Sequence, residues 1–349
     1  MSLAELVGAL LVLGLTAYAV LGGADFGTGV WDLTAGRGPR ADRIRAQAES
    51  SMGPVWEANH VWLIFVLVVF WTGFPVAFGS VMSTLSVPLF LAAVGIIFRG
   101  SAFAFRGVAA SGRARRPLDA LFALSSILTP FFMGAAIGGI ASGRVPVGNA
   151  AGDPVTSWLN PTSAIVGAIA VATGAYLAAV YLAADAARAG RADLVEAFRR
   201  RGLLSGAVAG ALALGGLAVL RADARPLYDG LVGAPGLALV ALSAAAGVAT
   251  LALVWRRAFG PARVGAAAAV AAVLWGWVVA QRPDLLPGEI TIEQAAASRP
   301  TLVAVLVAFL AGALVLVPSL AYLFRLVLRD RLQKELPPLG EPGRGGPLP

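Results

Sequence analysis

Residues 53–78 read GPVWEANHVWLIFVLVVFWTGFPVAF, a long apolar run that begins with a carboxylate, an amide and an imidazole. These polar side chains belong to Glu57, Asn59 and His60, and His60 is the only histidine in the chain of 349 residues. The run is long enough to cross the hydrocarbon core of a bilayer as a helix, which takes about 20 residues. Polar groups are costly in such a helix, so this cluster is a candidate functional site.

The composition of the whole chain indicates a membrane protein. Hydrophobic residues make up 58% of the chain and charged residues only 13%, with a mean hydropathy of +0.80. An ordinary soluble domain has about 25% charged residues. The net charge of +8 comes from arginines in loops between apolar runs, as the positive-inside rule expects. We therefore predict a membrane-lipid environment and no nucleic-acid partner.

The chain offers few ligands for a metal centre. It has no cysteine, one histidine and four methionines. The absence of cysteine excludes disulfides, thiolate metal sites and iron–sulfur clusters. We predict no metal site on this chain, and if the protein takes part in redox chemistry, we expect the metal centres to lie on another chain.

Nine apolar runs of about 18 residues or more predict an all-α polytopic membrane protein with nine transmembrane helices. They lie near residues 3–24, 58–78, 80–105, 118–141, 162–184, 202–221, 235–256, 264–281 and 301–327. The short interval 78–80 predicts a tight hairpin between the second and third runs, and residues 255–263 predict another short turn. Residues 36–52 are polar and arginine-rich, and they predict a short helix on the inner surface.

The arginines predict the orientation of these helices. With the N-terminus outside and the C-terminus in the cytoplasm, 22 of the 27 basic residues lie on the inner side, as the positive-inside rule requires. Residues 1–336 are then a single integral membrane domain. Residues 337–349 are rich in proline and glycine and predict a disordered tail.

Three ionisable residues lie in or against apolar runs. Asp25 lies at the glycine-rich end of the first run, Glu57 at the start of the second and Arg99 toward the end of the third. The topology predicts that all three lie at one depth near the cytoplasmic face. A carboxylate in a medium of low dielectric constant can carry protons, and a nearby arginine holds it ionised instead. A proton entry and an ion-paired structural node both fit this pattern.

Each of these residues also has a structural interpretation. Asp25 can cap a helix in a glycine-rich turn, and Glu57 can satisfy a helix dipole in a first turn. Arg99 either extends to the inner headgroups or pairs with one of the two acids. His60 follows Glu57 by three residues and is expected on the same helix face, where a haem ligand, a relay member and a packing residue all remain open.

The motifs around these residues resemble one membrane protein family. Residues 22–29, GGADFGTG, are similar to the Asp-Gly-Phe-Asp-x-Gly-x-Gly motif of subunit II of cytochrome bd-type quinol oxidases. Residues 54–63 resemble that family's Pro-x-Trp-[Asp/Glu]-x-Asn-x-Val-Trp-Leu motif, and residues 98–106 resemble the end of its third helix. Glu57 stands where many members have aspartate, and His60 where many have glutamine. The resemblance is strong over residues 20–106 and continues more weakly to about residue 330.

The resemblance implies a respiratory terminal oxidase in a prokaryotic inner or plasma membrane. Such a complex oxidises quinol, reduces O₂ to water and takes protons from the cytoplasm without pumping. Two haems b and one haem d are expected on subunit I, the partner in a heterodimer. Subunit II is expected to have two four-helix bundles plus one peripheral helix. Small single-helix accessory subunits and a structural quinone in this chain are left open.

The residues and the resemblance together give a functional prediction. Glu57 and Asp25 are predicted to take up protons, with Arg99 tuning them and with Asn59 and His60 as supporting hydrogen-bonding neighbours. A stand-alone proton-coupled transporter is the rival interpretation, since buried charges on adjacent helices serve that function too. A pure scaffold for subunit I is a third.

Overall fold

The structure, a computed structural model, describes residues 1–52, 56–106 and 115–328. Over these residues nine helices are long and apolar enough to span a membrane, which confirms the predicted all-α polytopic fold. The elements are α1 (Leu3–Leu33), α2 (Pro39–Met52), α3 (Trp56–Gly73), α4 (Pro75–Thr84), α5 (Ser86–Arg106), α6 (Arg115–Ala141), α7 (Pro161–Arg188), α8 (Ala192–Asp223), α9 (Arg225–Val232), α10 (Ala234–Trp255), α11 (Phe259–Gln281), β1 (Asp284–Leu286), β2 (Ile290–Thr291), α12 (Ile292–Ala295) and α13 (Arg299–Leu328).

Several sequence predictions about the connections can be compared with these bounds. The polar interval 36–52 contains the helix α2, as predicted, and the turn between α10 and α11 is short. The start of the motif, residues 53–55, and the predicted disordered tail, residues 337–349, lie outside the described residues.

The predicted tight hairpin at residues 78–80 is wrong. The second apolar run ends at Gly73, and the separate helix α4 follows before α5 begins. Proline has no N–H donor and disfavours helical backbone in the residue before it. Phe74 accordingly leaves the helical region, with φ −139° and ψ 61°, and Pro75 opens the new helix. A similar break at Ala224, with φ −138° and ψ 59°, precedes the short helix α9.

The helices of residues 1–297 group into two sets of four long helices. In the first set α1 contacts α3 and α6, and α5 packs against α6; in the second α7 contacts α8 and α11, and α10 packs against α11 and α8. Contacts of α7 with α1 and α6 join the two sets. The middle of α7 is correspondingly buried, with Leu177, Ala179 and Val180 fully enclosed. α13 belongs to a second compact unit that begins at Ser298.

The end of the first unit away from α2 carries the shorter elements. β1 and β2 form an antiparallel pair, and Thr291 caps α12 through a reciprocal hydrogen bond with Gln294. The Ala297 amide donates to the Gly73 carbonyl over 2.8 Å, which fixes this segment to the end of α3. The candidate site lies toward the opposite end.

Candidate functional site

Asp25 lies inside a continuous helix. α1 runs without interruption from Leu3 to Leu33, so the interpretation of Asp25 as a cap in a glycine-rich turn is wrong. The residue is 4% exposed. It precedes the end of α1 by eight residues, a distance of about 12 Å along the helix axis.

The glycines around Asp25 bring α7 close to α1. A Cβ on Gly27 would overlap the carbonyl of Gly174 in α7, and a Cβ on Gly29 would overlap the side chain of Ser126 in α6. Glycine is needed here because the backbones meet, whereas the helical conformation itself would accept other residues. The close approach fixes the position of the α1 segment that carries Asp25.

Arg99 forms an ion pair with Asp25. Arg99 Nη2 lies 3.3 Å from Asp25 Oδ1, and both side chains are 2% exposed. The same guanidinium donates to Asp25 Oδ2 over 3.4 Å and to the Asp25 carbonyl oxygen over 3.0 Å. Of the two open interpretations of Arg99, the structure therefore supports the ion pair over extension to the headgroups.

α6 holds the Arg99 guanidinium in place. Arg99 Nε donates to Ser126 Oγ over 3.0 Å. The rings of Phe26 and Phe122 lie 4.8 and 5.1 Å from the guanidinium carbon, within the range of cation–π attraction. Hydrogen bonds and two aromatic faces thus fix a charged group that has left water.

A second buried ion pair lies two helical turns from the first pair and has the same arrangement. Arg106 Nη2 lies 2.5 Å from Asp32 Oδ2, with side chains 6% and 7% exposed. The spacing of seven residues is the same on both helices, from Asp25 to Asp32 and from Arg99 to Arg106. Sequence reasoning missed this pair. The matched spacing was the available signal, because parallel helices keep residues seven apart in register on one face.

The second pair extends into a small charged network. Arg106 Nε lies 2.8 Å from Asp119 Oδ1, and Arg45 Nε lies 2.8 Å from Asp32 Oδ1. The Phe122 ring lies 4.2 Å from the Arg106 guanidinium carbon. Asp32 thereby joins α2 to the end of α5, and Asp119 extends the network to α6.

A cavity of about 10 Å³ lies beside this network, roughly the room that one water molecule requires. Its polar lining comes from Thr28, Asp32, Arg45, Glu49 and Arg106. The Thr28 hydroxyl donates to the Asp25 carbonyl oxygen over 2.7 Å. Asp32, Thr28 and Asp25 thus form a row of polar side chains that runs from the end of α1 to the first ion pair. We call these three residues the α1 polar track.

Asn59 and His60 lie against this part of α1. Asn59 is buried; its amide donates to the Leu21 carbonyl over 3.4 Å and lies next to the Asp25 carboxylate. The His60 ring lies 6.1, 5.9 and 6.2 Å from the rings of Tyr18, Phe26 and Trp56. Its Nδ1 atom and the Tyr18 hydroxyl are buried and have no hydrogen-bond partner among the described residues.

Glu57 lies apart from the buried pair. It is the second residue of α3, in the first turn, and it is exposed. Asn59 contacts Leu21 and Trp56 lies against Gly100, so the start of α3 lies beside the segments that carry Asp25 and Arg99. That all three charges share one depth stays a prediction. Glu57 is exposed and His60, three residues later, is half-buried.

An exposed apolar stripe follows Glu57 along α3. Val61, Ile64, Val68 and Trp71 continue the face of Glu57 at helical spacing, and they are between 52% and 64% exposed. This face is left for lipid or for another protein chain. Glu57 therefore lies on the same exposed face as this apolar stripe.

The described residues offer little for a metal or a haem. No group of three or more histidine, aspartate or glutamate side chains in this part of the chain is arranged to hold a metal ion. The one histidine is enclosed by three aromatic rings, which does not fit an axial haem ligand that needs a porphyrin face beside it.

The sequence and the fold are similar to those of known proteins. The family model described as "Cytochrome bd terminal oxidase subunit II" matches residues 3–327. The chain is 29% identical to cytochrome bd-I ubiquinol oxidase subunit 2 of Escherichia coli K12 over 138 residues, 40% of this chain and 35% of that one. It is 28% identical to cytochrome bd ubiquinol oxidase subunit 2 of Bacillus subtilis 168 over 114 residues, 33% of each chain.

The matched stretches span about a third of the length of these curated relatives. A solved structure extends the likeness to the whole fold. A chain in the structure of bd oxidase from Geobacillus thermodenitrificans is similar with a TM-score of 0.71 and 27% identity, covering 95% of this chain and 100% of that one.

Proposed function

The chain belongs to the cytochrome bd terminal oxidase subunit II family, and we propose that it is the haem-free second subunit of a quinol:oxygen oxidoreductase. The observation that carries this proposal is the family match, which extends over nearly all of the described residues. Its relatives are named as subunits of ubiquinol oxidases. The complex would oxidise quinol and reduce O₂ to water in a prokaryotic inner or plasma membrane.

The haems, two b and one d, belong to subunit I in this proposal. The donor set of this chain supports that division, because it has no cysteine and one histidine, and the histidine is packed among aromatic rings. This chain contributes a membrane-spanning surface that stabilises subunit I. The exposed stripe of α3 is the face that fits this contact best, since it joins apolar side chains to Glu57.

The chain also contributes a path for protons from the cytoplasm. Glu57 is the acid that accepts and releases the proton, because it is exposed at the bundle end. Asp25 is buried and is held by Arg99. It takes up protons only as a member of this pair, and its charge changes the electrostatic potential near the helix ends. Asn59 and His60 support this arrangement from α3 through their contacts with α1.

The orientation of the chain completes the proposal. The bundle end that carries Glu57, α2 and the α1 polar track faces the cytoplasm, as the distribution of arginines favours. Protons then enter from the side at which a non-pumping oxidase must take them up to build a gradient.

Purification of the tagged chain from its native membrane tests the proposal. We expect it to bring down a larger partner, the visible spectra of haems b and d, and quinol-dependent oxygen consumption. A colourless chain that catalyses proton-coupled transport after reconstitution would establish the rival transporter and overturn the proposal. Assembly with normal oxygen consumption and no effect of Glu57 substitutions would leave only the scaffold.

A further inference from the structure

An arginine-lined cavity lies between α2 and α8, at the bundle end that carries the α1 polar track. It has a volume of about 370 Å³ and opens to the outside. Its lining combines three arginines with a small apolar floor: Arg40, Arg200 and Arg201 with Ala35, Ile44 and Ala197. No acidic side chain lines the cavity among the residues that the structure describes.

Arg201 is held in place without a carboxylate. Its guanidinium carbon lies 5.6 Å from the Trp31 ring and 5.7 Å from the Phe198 ring. Both rings are buried, and the Trp31 indole donates to the Ala175 carbonyl over 2.9 Å. Two fixed aromatic faces therefore orient the planar guanidinium, which lowers the entropy lost when it binds an anion.

The positive charge around the cavity is only partly balanced. Arg200 Nε lies 2.9 Å from Glu196 Oε1, but Glu196 also pairs with Arg199 and Arg257, so the charge of Arg200 is only partly balanced. Arg40 and Arg201 form no ion pair within the described ranges, and they are close enough to repel one another. Two unbalanced guanidinium groups beside an open cavity favour an anionic ligand.

Two polar contacts join the helices that line the cavity. Arg43 Nη2 lies 2.7 Å from Asp193 Oδ1, and Arg191 Nη1 donates to Gln47 Oε1 over 2.7 Å. Both contacts join α2 to the start of α8, close to the residues that line the cavity. The positions of α2 and α8 therefore help to set the distance between Arg40 and Arg201.

We propose that this cavity binds the phosphate of an anionic phospholipid headgroup. Arginine recognises phosphate through paired N–H donors. The cavity lies at the end of spanning helices, where headgroups are found, and Ala35, Ile44 and Ala197 supply apolar surface for the glycerol and upper acyl region. A free phosphate ion shares the chemistry of the headgroup but gains nothing from this apolar floor.

The test uses the whole complex, purified in detergent and stripped of lipid. Arg40→Gln/Arg201→Gln removes the two unbalanced charges, and Arg37→Gln is the matched control because Arg37 does not line the cavity. Native mass spectrometry measures binding of dioleoyl phosphatidylglycerol, dioleoyl phosphatidylcholine and inorganic phosphate. Thermal unfolding confirms that each variant is folded, and Arg40→Gln alone replaces the double variant if that one is unstable.

We expect one phosphatidylglycerol to bind the control at least tenfold more tightly than the double variant, with phosphatidylcholine weaker in both. If inorganic phosphate shows the tenfold loss and phosphatidylglycerol does not, the phosphate site stands but its ligand is a soluble anion. Equal binding of all three probes to the double variant and to the Arg37→Gln control would overturn the proposal.

Discussion

Arg99 and Asp25 place two full charges inside the helix bundle, and the surrounding side chains determine what that arrangement costs. Removal of two charges from water is expensive, and their mutual attraction offsets the cost only when the hydrogen bonding is good. Here Ser126 and the Asp25 carbonyl accept two further N–H groups of the guanidinium. Loss of one partner should therefore cost much more than replacement of both.

We predict that Asp25→Asn destabilises the complex by about 3–5 kcal/mol, because it leaves the Arg99 charge buried without its counter-ion. Asp25→Leu/Arg99→Met should recover most of that loss, since it removes both charges. Thermal unfolding of the purified complex measures the effect.

The control for this prediction is Asp193→Asn. Asp193 pairs with Arg43, and these side chains are 44% and 56% exposed, so the cost should stay below about 1 kcal/mol. Equal losses in Asp25→Asn and Asp193→Asn would contradict the account of a buried pair.

Sequence reasoning at this scale identified Asp25 and Arg99 but left their relation open. α1, which carries Asp25, is apolar on most faces, so hydropathy does not specify which of its faces turns toward Arg99 on α5. The pair Asp32–Arg106 was missed for a related reason. Charged residues at helix ends normally face water or headgroups, and only the repeated spacing of seven residues distinguishes this pair from such groups.

Helices α1 and α7 meet through glycines, which allows their backbones to come closer than larger side chains would. Gly27 faces Gly174, and the same stretch of α1 carries Asp25. The position of the ion pair therefore depends on this helix crossing, since a displacement of α1 would move Asp25 relative to Arg99.

We predict that Gly27→Ala destabilises the chain by about 1–3 kcal/mol, the usual cost of excess volume in a close-packed contact. The reason is that the new methyl group would meet the Gly174 backbone. Gly210→Ala in α8 is the control, because a Cβ there meets nothing within 4 Å and alanine favours a helix.

The thermal unfolding midpoint and the amount of assembled complex in the membrane measure both variants. Gly27→Ala should lower both quantities, and Gly210→Ala should leave them unchanged or slightly raised. A Gly27→Ala variant as stable as Gly210→Ala would show that the α1–α7 crossing is looser than described.

Sequence reasoning at the scale of elements found the nine long helices but not the short helices α4, α9 and α12. Long apolar runs identify spans because a bilayer sets their minimum length. α4 continues the apolar character of the run before it, and α9 is too short and too polar to be recognised as a span. Pro75 and Pro226 were the local signals, since proline is favoured in the first turn of a new helix.

The nine candidate spans determine the topology of the chain only after one loop has been assigned to one side of the membrane. The arginine distribution places residues 36–52 inside. Counting the spans from there places the connection between α6 and α7 outside. Hydropathy gives the number of crossings, and the positive charges give the direction. The grouping of the helices into two sets of four depends on contacts between helices, and the hydropathy and charge of a single span do not predict those contacts.

The absence of cysteine makes this orientation directly testable, since each introduced cysteine is the only one in the chain. We predict that Ala151→Cys reacts with a membrane-impermeant maleimide in intact cells, because residue 151 is exposed between α6 and α7. Ala189→Cys, exposed between α7 and α8, should react only after permeabilisation. The reverse pattern would invert the proposed topology.

The central claim is that this chain passes protons to chemistry carried out on its partner, through Glu57. The most direct measurement is the rate of quinol-dependent oxygen consumption by the assembled complex with Glu57→Gln, normalised to haem content, with Glu57→Asp as the control that keeps a carboxylate. We predict that Glu57→Gln lowers the rate by at least about tenfold, since a positioned acid–base group contributes that much or more, while Glu57→Asp retains most of it. A normal rate in Glu57→Gln at normal haem content would contradict the claim.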